Sequence, residues 1–475
     1  MKIAFLTLGC KLNYAETSTY ERGFIENGFE VVQWSEKADI YLVNTCSVTA
    51  TSDSKSRNLI RKVHRVNPEA KIVVTGCSAQ LRRDEIERIE GVSRVFGAEE
   101  KSLVVAQSLA LLGIEPAKQR DSDHCGDVPA VFGAYSTGER TRSFLKVQDG
   151  CNNFCKYCTV PYARGRSRNI SIAEAVENAK SIAAAGVKEI VLTGVNTGDF
   201  GRSTGESFLA LLQALNEVPG IERYRISSIE PNLLTEEIIS WIASGTKFQP
   251  HFHIPLQTGS DELLKLMGRH YDTAFFEEKI ACVRRAMEAP GKPLVFFGID
   301  LMVGLPGETP ELFEQSKAFI ERIHPAFIHV FPYSRRPGTP AASMPGQVDE
   351  QEKKRRVAVL EELSSRLHAE FIEANRGVRE TVLFESACKQ GLMEGYTGNY
   401  IRISRPYDPG LVNTLVDVTI EYPVLGLATI CLNDNFTFRQ ITEFDLSSKK
   451  FVAFSIFERA TSHFVFRSQC LNYLC

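Results

Sequence analysis

The first quarter of the chain alternates short apolar runs with amphipathic stretches. Residues 2–7, 40–45 and 71–75 are apolar runs of strand length, and helical periodicity fills residues 13–27 and 53–66. Apolar strands alternating with helices predict a parallel sheet. Each of the three runs leads into a cysteine, at Gly9-Cys10, Thr45-Cys46 and Gly76-Cys77. Ligands gather at the carboxyl ends of strands in open parallel sheets. Neighbouring parallel strands end side by side, so Cys10, Cys46 and Cys77 are predicted to meet at one candidate metal site despite their distance in sequence. Burial as small apolar side chains is the plainer alternative.

The pattern resumes from residue 142 to about residue 375. Strands are predicted at 143–148, 189–193, 224–227, 253–256, 294–301 and 327–331, with helices such as 172–185, 208–216 and 310–323 between them. Six such units predict a partial barrel of parallel strands, whose active site lies at the carboxyl-end mouth. A basic helical stretch at 349–376 follows. Residues 379–420 then read as short strands with turn signals, an all-β module. The last 50 or so residues are Phe-rich and contain Cys431, Cys470 and Cys475 without a motif. Residues 116–138 are a polar linker, and Cys125 beside His124 reads there as a spare thiol rather than a ligand.

The first barrel strand runs into Cys151-Asn152-Asn153-Phe154-Cys155-Lys156-Tyr157-Cys158. Three thiols in a C-x3-C-x2-C loop can converge on one metal centre. Structural zinc sites close with four ligands. An iron–sulfur cube takes one thiolate per iron, so three leave one iron open for a cofactor. Twelve cysteines in 475 residues, with no signal-like h-region before Cys10, predict a reducing cytoplasm in which thiols serve as ligands. The net charge of −3 excludes a globally basic nucleic-acid binder, so any RNA surface is local. No apolar run approaches the ~18 residues of a membrane span.

These residues together resemble the radical S-adenosylmethionine (SAM) methylthiotransferase family. The resemblance is carried by the triplet with Tyr157 beside its last cysteine, by Gly9-Cys10, Asn44-Thr45-Cys46 and Gly76-Cys77, and by the runs Cys158–Gly165 and His253–Ser260. The β module resembles a TRAM domain. Within the family, Gly9–Asn13 and Leu192–Asp199 resemble the branch acting on threonylcarbamoyladenosine in tRNA. The implied fold is α/β throughout its first two domains. A parallel-sheet methylthiotransferase domain (1–115) and the linker (116–138) precede a partial (β/α) barrel radical SAM core (139–376). A TRAM-like RNA-binding module (377–422) and an unassigned tail (423–475) complete the chain.

The resemblance implies two 4Fe-4S clusters, one on Cys151, Cys155 and Cys158 and one on Cys10, Cys46 and Cys77. It also implies SAM as both methyl donor and source of a 5′-deoxyadenosyl radical. The expected acceptor is C2 of N6-threonylcarbamoyladenosine beside the tRNA anticodon; the electron donor and the sulfur source stay unspecified. Candidate SAM contacts are Tyr157, Thr193, Gly194, Val195, Ser227, Ser228, Glu230, Gly304 and Glu308, where glycines permit close backbone approach.

Arg164, Arg166 and Arg168, at spacing two, would share one face of an extended segment and grip phosphates. Lys55, Arg57, Arg61, Lys62 and Arg65 form a second basic cluster, and Lys353, Lys354, Arg355 and Arg356 a third; either is equally a solvated face. Tyr396, Tyr400 and Arg402 are candidates for base stacking, or core. The pair His251 and His253 reads as barrel lining. Two alternatives stand beside the main reading: the same chemistry on isopentenyladenosine in tRNA or on a ribosomal-protein aspartate, and a zinc-stabilised RNA-binding protein without catalysis.

Overall fold

The computed structural model describes residues 1–115, 131–137, 141–424 and 427–431. Cys125, most of the linker and residues 432–475 lie outside the described residues.

The N-terminal sheet is fully parallel, in the order Glu30–Val31, Lys2–Thr7, Ile40–Thr45, Lys71–Gly76, Val92–Val95. Strand alternation sorts its side chains into two cores. Ala4, Leu6, Tyr41, Val43, Ile72 and Val74 pack with Ile60 and Val63 of helix Ala50–Val66. Ile3, Ile40, Leu42 and Val73 pack on the other face with Tyr20 and Phe24 of helix Lys11–Glu26. Double coverage explains why these strands read as continuous apolar runs. The two outermost strands have no such run: Glu30–Val31 is exposed, and Val92–Val95 buries only Val95.

The second domain lays six parallel strands in chain order: Arg142–Lys146, Glu189–Thr193, Arg223–Ile226, His251–Gln257, Phe296–Val303 and Phe327–Pro332. Among the described residues the isolated bridges Tyr224–Phe248 and Ser228–His253 connect its two sheets, and one apolar core runs through both. Five surrounding helices start on a side-chain cap, from Ser171, Ser207, Thr235, Asp272 and Thr309. Each cap satisfies a backbone N–H that the helix itself leaves unpaired. The predicted linker is part of this domain at its end: Ala134–Tyr135 pairs antiparallel with the first barrel strand. A two-residue edge strand leaves no periodicity to detect. Among the described residues no helix is long and apolar enough to cross a membrane.

Residues 379–431 form a closed five-stranded barrel whose last strand, Leu427–Cys431, extends beyond the predicted boundary at 422. It docks on the amino ends of the core strands, opposite the cysteine triplet. Arg225, 1% exposed, donates to Glu189 (2.8 Å) and to the carbonyls of Thr397 (2.8 Å) and Gly398 (2.7 Å). Arg223 donates to the carbonyl of Tyr396 (3.1 Å), and Arg142 pairs with Glu385 (2.7 Å). Tyr400 packs on His251 and Phe296, and Arg142 lies over Tyr396. These two tyrosines therefore serve the interdomain seam, and Arg402 faces Glu394 at 3.5 Å. The two tyrosines thus follow the packing alternative, whereas Arg402, 46% exposed, does not.

Removing Arg225 would leave two buried carbonyls without their donor and Glu189 with only the longer contacts to Arg142 (4.0 Å) and Arg223 (3.8 Å). Arg225→Ala is expected to cost about 3–5 kcal/mol, read as a lower urea midpoint and faster proteolysis at the entrance to the C-terminal barrel.

Candidate functional site

Cys151, Cys155 and Cys158 lie on the loop between strand Gln148–Asp149 and helix Val160–Arg164, at the carboxyl-end mouth of the core. Backbone contacts shape this loop. The N–H of Cys151 donates to the carbonyl of Gly165 (3.1 Å), and that of Cys158 to the carbonyl of Cys155 (2.9 Å). N–H groups approach the sulfurs: Asn153 to Cys151 and Val160 to Cys158, each at 3.4 Å, and the Arg269 guanidinium to Cys155 at 3.2 Å. Burial pushes the thiols of Cys151 and Cys158 up, to about 11 and about 12. Such thiols ionise together only if cations take their charge.

The N-terminal cysteines sit where the sheet topology requires. Cys10 precedes helix Lys11–Glu26, Cys46 follows strand Ile40–Thr45, and Cys77 opens helix Cys77–Leu81. Two side-chain amides hold the strand ends together. Asn13 donates to the carbonyls of Leu8 (2.8 Å) and Thr45 (2.9 Å), and Asn44 donates to the carbonyl of Asn13 (3.0 Å). The glycines before Cys10 and Cys77 are steric necessities. Gly9 (φ 103°) and Gly76 (φ 98°) have left-handed backbones. A Cβ on Gly9 would lie 2.8 Å from that of Cys46, and one on Gly76 would lie 2.3 Å from the Thr45 carbonyl oxygen. Burial, then the charges of Cys77 and Cys10, raise the Cys46 thiol to about 12. The sulfurs thus feel one another. Among the described residues no three His, Cys, Asp or Glu groups are close enough to share one metal ion. A cube, with each thiolate on a different iron, does not require that. Each triad supplies the soft, three-thiolate donor set that a cube with one open iron takes.

The other predicted site residues divide. Tyr157 is packed with Met267, Leu305 and Tyr333, and its hydroxyl accepts from Arg269 at 3.3 Å. Thr193, Gly194 and Val195 end the second core strand, with Gly194 so close to Gln148 that a Cβ would meet it at 2.9 Å. Ser227 is buried with its hydroxyl unpartnered, and Ser228 bridges to His253. Glu230 is held by Arg269 at 2.5 and 2.7 Å. Arg269 therefore links Glu230, Tyr157 and Cys155; inside the stretch Gly268-Arg269-His270-Tyr271 it carried no recognisable signal. Gly304 (φ 75°) donates its N–H to Glu308, whose carboxylate also takes Arg356 at 2.6 Å. Glu308 is thus committed to closing this turn. His253 lines the core beside Asp300 (2.8 Å) and stacks on His329, whereas His251 belongs to the barrel seam.

The arginine stripe is corrected. Arg164 closes a helix and is 2% exposed, so the three residues share no extended face. Its guanidinium is taken by Asp149 (2.9 Å) and Asn13 (2.5 Å). Arg168 is half-buried and donates to the Arg164 carbonyl at 2.7 Å. Only Arg166 is exposed, over the ring of Phe154. Phe154 and Tyr162, 41% and 51% exposed, meet edge to face beside it. The sequence does not signal this aromatic pair, because Phe154 lies inside the cysteine loop and Tyr162 in the helix after it, with no shared periodicity. In the third basic cluster, Arg355 and Arg356 share Glu352, and Lys353 is buried against Glu350.

Comparison with known proteins agrees with this architecture. Residues 2–97 match the model described as uncharacterized protein family UPF0004, and residues 145–320 match the radical SAM superfamily. The chain is 38% identical over 431 residues to threonylcarbamoyladenosine tRNA methylthiotransferase MtaB of Bacillus subtilis, covering 88% of this chain and 93% of that protein. It is 36% identical to the enzyme of the same name from Aquifex aeolicus, covering 85% and 97%. It is 33% identical to tRNA-2-methylthio-N(6)-dimethylallyladenosine synthase of Desulfosudis oleivorans, covering 83% and 85%. Among solved structures, the radical S-adenosylmethionine methyltransferase TsrM from Kitasatospora setae shares the fold, with a TM-score of 0.52 at 16% identity, covering 82% of this chain and 79% of that one. The radical SAM match implies SAM and a 4Fe-4S cluster. On its sequence, its cysteine geometry and these relatives, the chain belongs to the radical SAM methylthiotransferases, a family of enzymes.

Proposed function

We propose that the chain methylthiolates C2 of N6-threonylcarbamoyladenosine in tRNA, beside the anticodon, in a reducing cytoplasm. The observation that carries this reading is the pairing of two three-cysteine sites with near full-length similarity to relatives bearing that activity in their names. Cys10, Cys46 and Cys77 would hold a second 4Fe-4S cluster, serving the sulfur, across the domain seam from the first. A three-cysteine cluster with SAM on its open iron supplies, when bound, the 5′-deoxyadenosyl radical that an unactivated aromatic C–H demands.

The protein's own residues orient that chemistry and shield it. Arg269 pairs with Glu230 and donates to the Cys155 sulfur, which fixes the loop. Gly194 and Gly304 make room for this chain's own side chains: a Cβ would meet Gln148 at 2.9 Å and Lys353 at 2.3 Å. Phe154, Tyr162 and Arg166 offer an exposed aromatic and cationic rim suited to unstacked bases, which supports an RNA loop as the substrate. The similarity to dimethylallyladenosine synthases favours one second reading, the same reaction on isopentenyladenosine.

Nucleoside mass spectrometry of tRNA from a deletion strain separates the two. Loss of the 2-methylthio form of threonylcarbamoyladenosine alone is expected; its persistence, with loss of the isopentenyl product, would establish the second reading. Anaerobic reconstitution should load about eight irons per chain, and zinc in their place would leave a structural RNA-binding protein. Cys155→Ala should abolish SAM cleavage to 5′-deoxyadenosine, whereas Cys46→Ala should retain cleavage and lose sulfur insertion.

A further inference from the structure

Between the two cysteine sites lies a buried cluster of charges drawn from five separate elements. Glu16 comes from helix Lys11–Glu26, Lys101 from the short helix Lys101–Leu103, Lys146 from the first core strand, Asp149 from the strand before the triplet and Arg164 from the helix after it. All five are at most 4% exposed. Glu16 Oε1 meets Lys101 (2.7 Å), Lys146 (2.6 Å) and Arg164 (3.3 Å). Asp149 meets Lys146 (2.7 Å), Arg164 (2.9 Å) and, at 3.7 Å, Lys101.

This cluster holds three cations and two carboxylates. Its charges do not cancel, and an uncompensated charge out of water is costly. The strain has a visible sign. Burial and the neighbouring Arg164 and Lys146 pull the Lys101 ammonium below its usual range despite two carboxylate partners. A further negative charge belongs nearby, and the side chain that points to it is Arg164. One arm of its guanidinium is engaged by Asp149; the other bonds Asn13 Oδ1 and lies 4.0 Å from Cys10 Sγ. Three thiolates on a 4Fe-4S core in its 2+ state carry a net charge of −1, which matches the surplus.

We propose that Arg164 is the counter-charge of the N-terminal cluster and sets its reduction potential, tying the cysteine site of one domain to the triplet loop of the other. This rests on the reading of Cys10, Cys46 and Cys77 as cluster ligands. A cation beside a cluster favours the reduced, more negative form, so its removal lowers the potential. Glu16 acts through the same cluster in the opposite sense.

The test uses the full chain carrying Cys151→Ala, Cys155→Ala and Cys158→Ala, reconstituted anaerobically so that only the N-terminal cluster is present, with its midpoint followed by electron paramagnetic resonance. Arg164→Gln is expected to shift the midpoint to more negative potential, Glu16→Gln to more positive potential, and Arg164→Lys to stay nearer the parent than Arg164→Gln. A residue that merely holds the seam together would give shifts of one sign or none, and either result overturns the proposal. Should Arg164→Gln not fold, the sign for Glu16→Gln decides alone. A parent protein that loads no iron would refute the second cluster, and this proposal with it, on a different measurement from the potentials.

Discussion

Two parallel sheets meet near their carboxyl ends in this protein, and an ionic cluster lies at the junction beside the apolar contact of Tyr14 and Ala15 with Phe144. Glu16 and Asp149 are shared by Lys101, Lys146 and Arg164, all of them buried. Such a cluster tolerates little displacement, because any partner that moves leaves a buried charge behind. It fixes the register of the N-terminal domain on the core. A second clasp, Arg336 on Asp53 (2.5 Å) and Ser47 (3.2 Å), holds the opposite side of the same seam. These contacts hold the two cysteine sites at one separation.

The docking of the C-terminal barrel follows a related logic at the other end of the core strands. Arg142, Arg223 and Arg225 are gathered around the buried Glu189 and reach across to carbonyl and carboxylate groups of the barrel. Polar side chains at strand starts are thereby satisfied by a neighbouring domain instead of by water. The strands are only four to eight residues long, so the barrel stands about 15–25 Å from the cysteine mouth at ~3.3 Å per residue. That arrangement leaves the mouth, with Phe154, Tyr162 and Arg166 on its rim, open to a large substrate.

Much of this was legible in the chain. Apolar runs of strand length gave the parallel sheets, and topology alone placed Cys10, Cys46 and Cys77 at adjacent strand ends. Gly9 and Gly76 could be noticed beside them, but the reason for each became visible only when Cys46 and the Thr45 carbonyl were seen in the way of a Cβ. The short edge strands and the last barrel strand escaped because a two- to five-residue element carries too little periodicity. The reading of Arg164 failed for a different reason. Spacing along a presumed extended segment says nothing about a residue that ends a helix and points inward.

Local sequence therefore determined the element types, the C-x3-C-x2-C loop and the family, because these depend on periodicity and on residues close together along the chain. Tertiary structure decided what each charged or aromatic side chain is for. Arg164, Arg269, Tyr396, Tyr400 and Glu308 all read as candidate surface or ligand groups, or were not noticed, until their partners came into view. Those partners lie tens to hundreds of residues away, and the sign and burial of a charge are set by what folding places beside it.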